Sequence, residues 1–415
     1  MKICYVCADL GILLGGHNGA SAHIRNLLKA WTFLGHEVIA VTPSFNLNAD
    51  LGVPLIPIPS TEIFESLSSE INSLSEDMPV DWKKKRIVRA LGHLWNNVSL
   101  EKALRETFEN YKPDFIYERY SPFCISGPIM AKRMNIPHIL NVNAPLAWEG
   151  EKYRKQAMMD AAQMLEEVAV RSASHVVTTC RELKDEMLAL GLADGMISIA
   201  PMGADIDLFT PEGPVRREGL EGKIVIGFVG SLKPWHGIEV LVEAFRELSK
   251  DPKFHLMIVG NGPMAGLLHK IEEELPGRIS LIGNVPHQEV PHYVRAMDIP
   301  VAPYPVLEKF YFSPLKVLEY MSAGRAVVAS HIGQISELIL HGETGMLVPP
   351  GEVKLLVEAI QTLSADDALR QKLGEKASEE IRSKHTWNHR AKAILSLADK
   401  ITGKTPASRS AAVSV

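Results

Sequence analysis

IVIGFVGSLKPWHGIEVLVEAFREL, residues 224–248, begins with six residues that are apolar except for one glycine and ends with eleven whose apolar positions recur at helical spacing. The first part fits a buried strand and the last an amphipathic helix. Between them, Gly230 to Gly237 must turn the chain from strand to helix. A strand that feeds a helix through a glycine-rich turn belongs to a parallel α/β sheet. Such a turn also presents free backbone N–H groups at a helix start, where an anion is favoured. Its occupants are unusual for that role, because Trp235 and His236 are bulky and Lys233 is the one fixed cation in the turn.

The same alternation extends in both directions. Downstream, strand-like runs at Phe254–Val259, Ile279–Ile282, Ile299–Ala302 and Ala326–Ala329 are separated by helix-like runs at Gly262–Glu274, Val290–Met297, Pro314–Ser322 and Gln334–Ile339. Upstream, Lys2–Ala8, Glu37–Thr42, Phe115–Tyr117, His138–Val142 and His175–Thr178 read as strands, with helical periodicity at Ala20–Leu34, Ile125–Met134 and Ala157–Ala173. The Pro-, Gly- and charge-rich segment from Asp205 to Pro214 reads as a linker between the two series. With 415 residues the chain is too long for one ordinary core. Two consecutive doubly wound domains are expected, with a cleft between them and ligands at the C-terminal ends of the strands.

The composition excludes several classes. A net charge of −5 argues against general nucleic-acid binding. No apolar run reaches the ~20 residues a membrane-spanning helix needs, and Met1 to Cys7 reads as a strand rather than a signal peptide, so the expected location is cytoplasmic. Cys4 and Cys7 form a CxxC, but residues three apart on a strand point to opposite faces, which makes buried thiols the expectation. The segment Thr61–Asn110 lacks clear strands. It contains a basic run, Lys83 to Arg86, beside Ile87, Val88, Leu91, Leu94 and Trp95, which would share one helical face. Residues 82–95 therefore read either as peripheral contact with an anionic membrane or an acidic acceptor, or as an ordinary packed helix with solvated lysines. The tail 403–415, rich in Ser and Ala, is expected to be disordered.

Several short segments carry candidate chemistry. In Phe312 to Gly324, Ser313 is suited to an N-cap and Pro314 to the first helical position, leaving the N–H groups of Leu315 and Lys316 free for an anion. Glu319, about a turn and a half along, has the position to accept ribose hydroxyl hydrogen bonds. Gly260-Asn261-Gly262-Pro263 follows one strand, and Gly283-Asn284-Val285-Pro286 the next, where backbone groups would bracket a base. Gly15 to Ser21, including Gly19 and Ala20, offers small residues and N–H donors at the start of the first helix. Asp205 and Asp207 form a DxD, but within the linker motif, so no metal is expected there.

Taken together, these segments resemble the retaining glycosyltransferases of family 4, across nearly the whole chain. The resemblance rests on Gly19 with Gly35-His36-Glu37-Val38, Pro201 to Asp205 with Phe209, Val229 to Gly237, Gly260 to Pro263, Lys316 to Gly324, and Gly342 to Gly351. It implies the GT-B arrangement: two facing Rossmann-like domains, residues 1–205 for the acceptor and 206–384 for the nucleotide-sugar. A last helix, 385–402, would return to the first domain. It also implies transfer of a hexose-type sugar from a nucleotide-diphosphate donor, UDP-sugar favoured over GDP- or ADP-sugar, to a glycan, lipid or small-molecule hydroxyl. Retention at the anomeric carbon, no metal and no cofactor go with it. The donor residues it implies are Gly19, Ala20, Gly230, Ser231, Lys233, Gly260, Val285, Ser313, Leu315, Lys316 and Glu319.

The sequence departs from the family pattern twice. Where most relatives carry an Arg and a Lys in the first donor loop, this chain has Ser231 and His236. Lys233 and a protonated His236 would then supply the charge facing the diphosphate, since a nearby anion raises a histidine pKa. Alternatively, His236 caps the turn and Trp235 packs. The first of two paired carboxylates is replaced by Tyr311, so contact with the sugar passes to Glu308, to backbone near Phe312 or to no side chain. Lys233, His236 and Glu308 are the catalytic candidates. Glu118, Arg119, Asn143 and Glu149, at two strand ends of the first domain, are the acceptor candidates, with an Arg119–Glu149 ion pair as the other reading. A weakly catalytic carbohydrate-binding subunit, a phosphorylase and an epimerase are the alternative functions.

Overall fold

The computed structural model describes residues 1–16, 19–43, 45–46, 51–59, 66, 69 and 82–404, the side chains of 82–85 apart. His17, Asn18, the lysine side chains of the basic run and the tail from Thr405 lie outside the described residues. By its contacts the chain divides into two compact units, Met1–Pro201 with Arg390–Val415, and Met202–His389.

The first unit is built on a seven-stranded parallel sheet in the order β3-β2-β1-β4-β5-β6-β7. Its strands are β1 (Lys2–Cys7), β2 (Glu37–Thr42), β3 (Leu55–Pro57), β4 (Phe115–Arg119), β5 (His138–Val142), β6 (His175–Thr178) and β7 (Ile197–Ile199). From Ile3 onward every residue of β1 is buried, as a central parallel strand covered by helices on both faces requires. The order reverses direction between β1 and β4, where Tyr5 lies opposite Ala40 on one side and Tyr117 on the other. All four cysteines are buried thiols outside any disulfide, and burial pushes the Cys7 thiol up to about 12.

The second unit repeats the scheme with six parallel strands in the order β10-β9-β8-β11-β12-β13. These are β8 (Ile224–Val229), β9 (Phe254–Val259), β10 (Ile279–Gly283), β11 (Ile299–Ala302), β12 (Val328–Ser330) and β13 (Met346–Val348). The helix Ile238–Leu248 buries Ile238, Leu241, Val242, Ala244, Phe245 and Leu248. The sequence reading missed β3, β7 and β13, three-residue strands at sheet edges, because they are too short to show a period.

The expected linker is not free chain. Asp205 Oδ1 accepts the Leu208 N–H at 3.1 Å, Ser322 Oγ donates to the Phe209 carbonyl at 2.6 Å, and the Phe209 ring is fully buried. Ala204 bridges to Thr386, which ties this segment to the second unit. The last helix, Trp387–Thr402, enters the first unit from Arg390 onward. There the Arg390 guanidinium donates to the Ala200 carbonyl and, at 3.3 Å, to Tyr117 Oη, while the Trp31 indole donates to the Ala391 carbonyl at 3.4 Å.

The helix Trp82–Asn110 packs Ala90, Leu100, Ala103, Leu104 and Phe108 inward. Ile87, Leu91, Trp95 and Val98, one stripe at helical spacing, remain 38–59% exposed. Leu94, expected on that stripe, instead packs beside Ala90, Phe123 and Ala162.

Candidate active site

At the C-terminal end of β8 the chain leaves the sheet through Gly230, whose N–H donates to the Val259 carbonyl at 2.9 Å. The turn is closed by Pro234–His236, a single 3-10 turn. Its neighbour after β9 runs so close that a Cβ on Gly260, at φ +132°, would lie 2.1 Å from the Gly230 carbonyl oxygen. Two backbones in contact leave no space for any other residue, so this glycine is required by packing before any ligand arrives. Gly260 N–H in turn donates to the Gly283 carbonyl at 2.7 Å, which joins the loop after β10, with half-buried Val285, to the same ridge.

The odd occupants of the turn hold it in place. Trp235 stacks on Phe312, rings parallel within 3° and centroids 6.4 Å apart, fastening the β8 loop to the segment before the helix Leu315–Ser322. The Lys233 ammonium lies 5.8 Å from the Trp235 ring centroid. His236 Nδ1 is 2.5 Å from the Ser231 carbonyl oxygen. A carbonyl only accepts, so Nδ1 carries the proton and a neutral ring leaves Nε2 as an acceptor. Burial, then the nearby Lys316 and Lys233 cations, push the His236 pKa down to about 3 against the pull of the Ser231 carbonyl. In the unliganded protein His236 is thus neutral and closes the turn, whereas the protonation expected of it concerns the state beside a bound diphosphate.

The helix Leu315–Ser322 is fixed to β8 by fully buried Tyr320, whose hydroxyl accepts the Val229 N–H at 2.6 Å. Its start differs from expectation. Pro314 is the N-cap, its carbonyl accepting from Val317 and Leu318, and Leu315 N–H is engaged by the Ser313 carbonyl at 2.9 Å. Ser313 Oγ does not cap the helix; it bonds Gln334 Oε1 at 3.2 Å. Glu319 is half-buried one turn behind Lys316, and burial pushes its carboxyl up to about 8, with Asp205 adding to the rise and Lys316 opposing it. Tyr311 is buried, whereas Glu308 is exposed on the loop after β11. The structure thus gathers Gly230, Ser231, Lys233, His236, Gly260, Leu315, Lys316 and Glu319 around the strand ends of the second unit.

The candidates of the first unit are less uniform. Gly19 and Ala20 open the helix Gly19–Phe33. Glu118 is 1% exposed, and its carboxylate receives His138 Nε2 at 2.8 Å and Cys124 Sγ at 3.3 Å. As a β4 residue facing inward it is part of the core, which corrects its assignment to acceptor binding. Arg119, one residue later and so on the other face, meets His23 Nδ1 at 3.0 Å. Glu149 pairs with Arg154 at 2.7 Å, and Asn143 donates to Asn141 Oδ1 at 2.9 Å, while its own buried Oδ1 has no hydrogen-bond partner among the described residues.

Comparison with known proteins agrees with this geometry. A model described as Glycosyltransferase Family 4 matches residues 17–208, and one described as Glycosyl transferases group 1 matches residues 223–366. The chain belongs to this glycosyltransferase family. Among curated relatives, D-inositol 3-phosphate glycosyltransferase of Corynebacterium efficiens is 29% identical over 270 residues, 61% of this chain. That match spans only 60% of the relative's own length. Glycogen synthase of Mycobacterium tuberculosis is 22% identical over 89% of this chain and 88% of its own. Among solved structures, HepE of Anabaena in complex with UDP aligns with a TM-score of 0.71 at 18% identity, covering 96% of this chain and all of that one. The fold is that of the GT-B glycosyltransferases.

The sequence reading missed two site features. These are the Lys316 side chain, which shares a helix face with Glu319 three residues on, and the Trp235–Phe312 stack.

Proposed function

We propose that this protein is a retaining glycosyltransferase that moves a hexose-type sugar from a nucleotide-diphosphate donor to a hydroxyl acceptor without a metal ion. The observation that carries this reading is the convergence, in one unit, of a glycine turn after β8, the Lys233 ammonium beside Trp235 within it and Glu319 on the adjoining helix. A uridine donor is favoured because HepE, which shares the fold, has been solved with UDP and with UDP-glucose. In this reading Glu319 accepts the ribose hydroxyls, and the loop around Val285 brackets the base. Glu308 or backbone near Phe312 meets the sugar.

As the glycosidic C–O bond breaks, negative charge grows on the leaving diphosphate while the sugar becomes oxocarbenium-like. A preorganised donor aimed at that charge is typically worth ~3 kcal/mol in the transition state. Lys233 fills this role, and Lys233→Ala is expected to lower turnover by ~10² to 10³-fold. The test is to follow release of sugar from UDP-, GDP- and ADP-sugars by the pure protein, with and without a chelator. Slow metal-independent hydrolysis of one donor supports the transferase. Release of sugar phosphate that requires inorganic phosphate would indicate a phosphorylase, and no nucleotide binding by calorimetry would indicate a binding subunit.

The acceptor is a glycan, lipid or small molecule met by the first unit through Arg119, Asn143 and Glu149. The exposed stripe Ile87, Leu91, Trp95 and Val98, with exposed Arg89 beside it, favours work at an anionic membrane surface.

A further inference from the structure

The Lys316 side chain is the most anomalous group in the second unit. It is 9% exposed, and among the described residues its Nζ has no hydrogen-bond partner. Nζ instead lies 4.0 Å from the centroid of the Phe228 ring and 5.5 Å from that of Tyr304. Cation–π contacts replace only part of the hydration a buried ammonium gives up. An ammonium without an acceptor is costly to keep, and such groups are retained where an anion completes them.

The geometry points upward to where that anion would sit. A Cβ built on Gly230, at φ +139°, would be 3.2 Å from Lys316 Nζ and 3.4 Å from Cε. Gly230 therefore turns its bare side toward the ammonium, and no side chain on that residue comes between Nζ and the turn. The aromatic floor of Phe228 and Tyr304 excludes water from below. We propose that the Lys316 ammonium is the second positive charge facing the donor diphosphate, the part expected of His236, delivered from the helix Leu315–Ser322 through the gap that Gly230 leaves open. The inference rests on the nucleotide-diphosphate reading of this site. Burial also holds the Lys316 pKa down to about 7, against the pull of Glu319, so an arriving diphosphate would favour full protonation. With Lys233 in the turn and Lys316 beside Gly230, the site supplies two charges without a cationic imidazole.

The test is calorimetric, on the full chain. Wild-type protein is titrated with UDP, GDP and ADP, and the tightest of these, with its nucleoside, is then taken to Lys316→Met and Lys316→Arg. The expected result is at least about a tenfold loss of diphosphate affinity in Lys316→Met, nucleoside affinity unchanged within about twofold, and recovery of most of the loss in Lys316→Arg. Removing a buried charge without an acceptor is also expected to raise the melting temperature of Lys316→Met by ~3 °C. Equal diphosphate affinity in wild type and Lys316→Met would overturn the proposal. So would loss of diphosphate and nucleoside affinity together with a lower melting temperature, which marks a structural lysine. If wild type binds none of the three diphosphates, the donor reading beneath it fails first and takes the proposal with it.

Discussion

Protonating His236 would place a third positive charge beside Lys316 and Lys233 while its Nδ1–H is already committed to the Ser231 carbonyl. The folded pKa of about 3 lies below the ordinary 6.5, so the unfolded chain takes up this proton first as pH falls. The residue's contribution to stability is therefore complete above 6.5 and is lost as pH falls toward 3, at up to ~1.4 kcal/mol per unit. His255, lowered by burial to about 4, acts in the same direction. His236→Asn, whose amide keeps a donor for Ser231, is expected to flatten the pH 6 to 4 limb of stability measured by urea denaturation. It should leave the pH 6 to 8 turnover profile unchanged in shape; a wild-type step near 6.5 that vanishes in the variant would mean the imidazole titrates after all. At this scale the residues that share the turn are legible in the sequence, but the charge state of His236 in the unliganded protein is not. Spacing reveals which residues share a turn, whereas the desolvation of His236 and Glu118 depends on neighbours brought in from distant strands.

Elements were more legible than residues where they were long. The runs Ile224–Val229 and Ile238–Leu248 stand in the structure as read, because burial on both faces of one and along one stripe of the other leaves a plain period. Helix starts were less so: Ser313 and Pro314 have the right chemistry for a cap and a first turn, but the structure shifts the cap to Pro314 and turns Ser313 toward Gln334. The helix Trp82–Asn110 shows the opposite case, a stripe readable in sequence whose exposure required the fold. Replacing both Leu91 and Trp95 by Glu is expected to cut sedimentation with vesicles of mixed phosphatidylcholine and phosphatidylglycerol by about tenfold or more. Helical content should not change, since both side chains are exposed. If wild-type protein does not sediment with anionic vesicles, the stripe is not a membrane contact.

For the whole molecule, the two-unit plan followed from the restart of the strand–helix alternation, and the position of the last helix from family resemblance rather than from any local pattern. That helix completes the first unit: Ala391, Ile394 and Ala398 are buried, and Arg390 reaches both Ala200 and Tyr117. Ending the chain after His389 should therefore expose the Trp31–Tyr117 aromatic cluster, read as a rise in binding of a hydrophobic dye and a fall of several degrees in melting temperature. Residues 202–389 of the second unit form one continuous stretch, whereas the first unit is split around it. On the ribosome this reverses the usual order. The half made first must wait, its aromatic seam uncovered, until the helix from Arg390 onward has emerged, while the half made second can already close. The interval scales with the length of the second unit divided by the rate of translation, so slow codons within residues 202–389 would lengthen the exposure of the first unit rather than of the second.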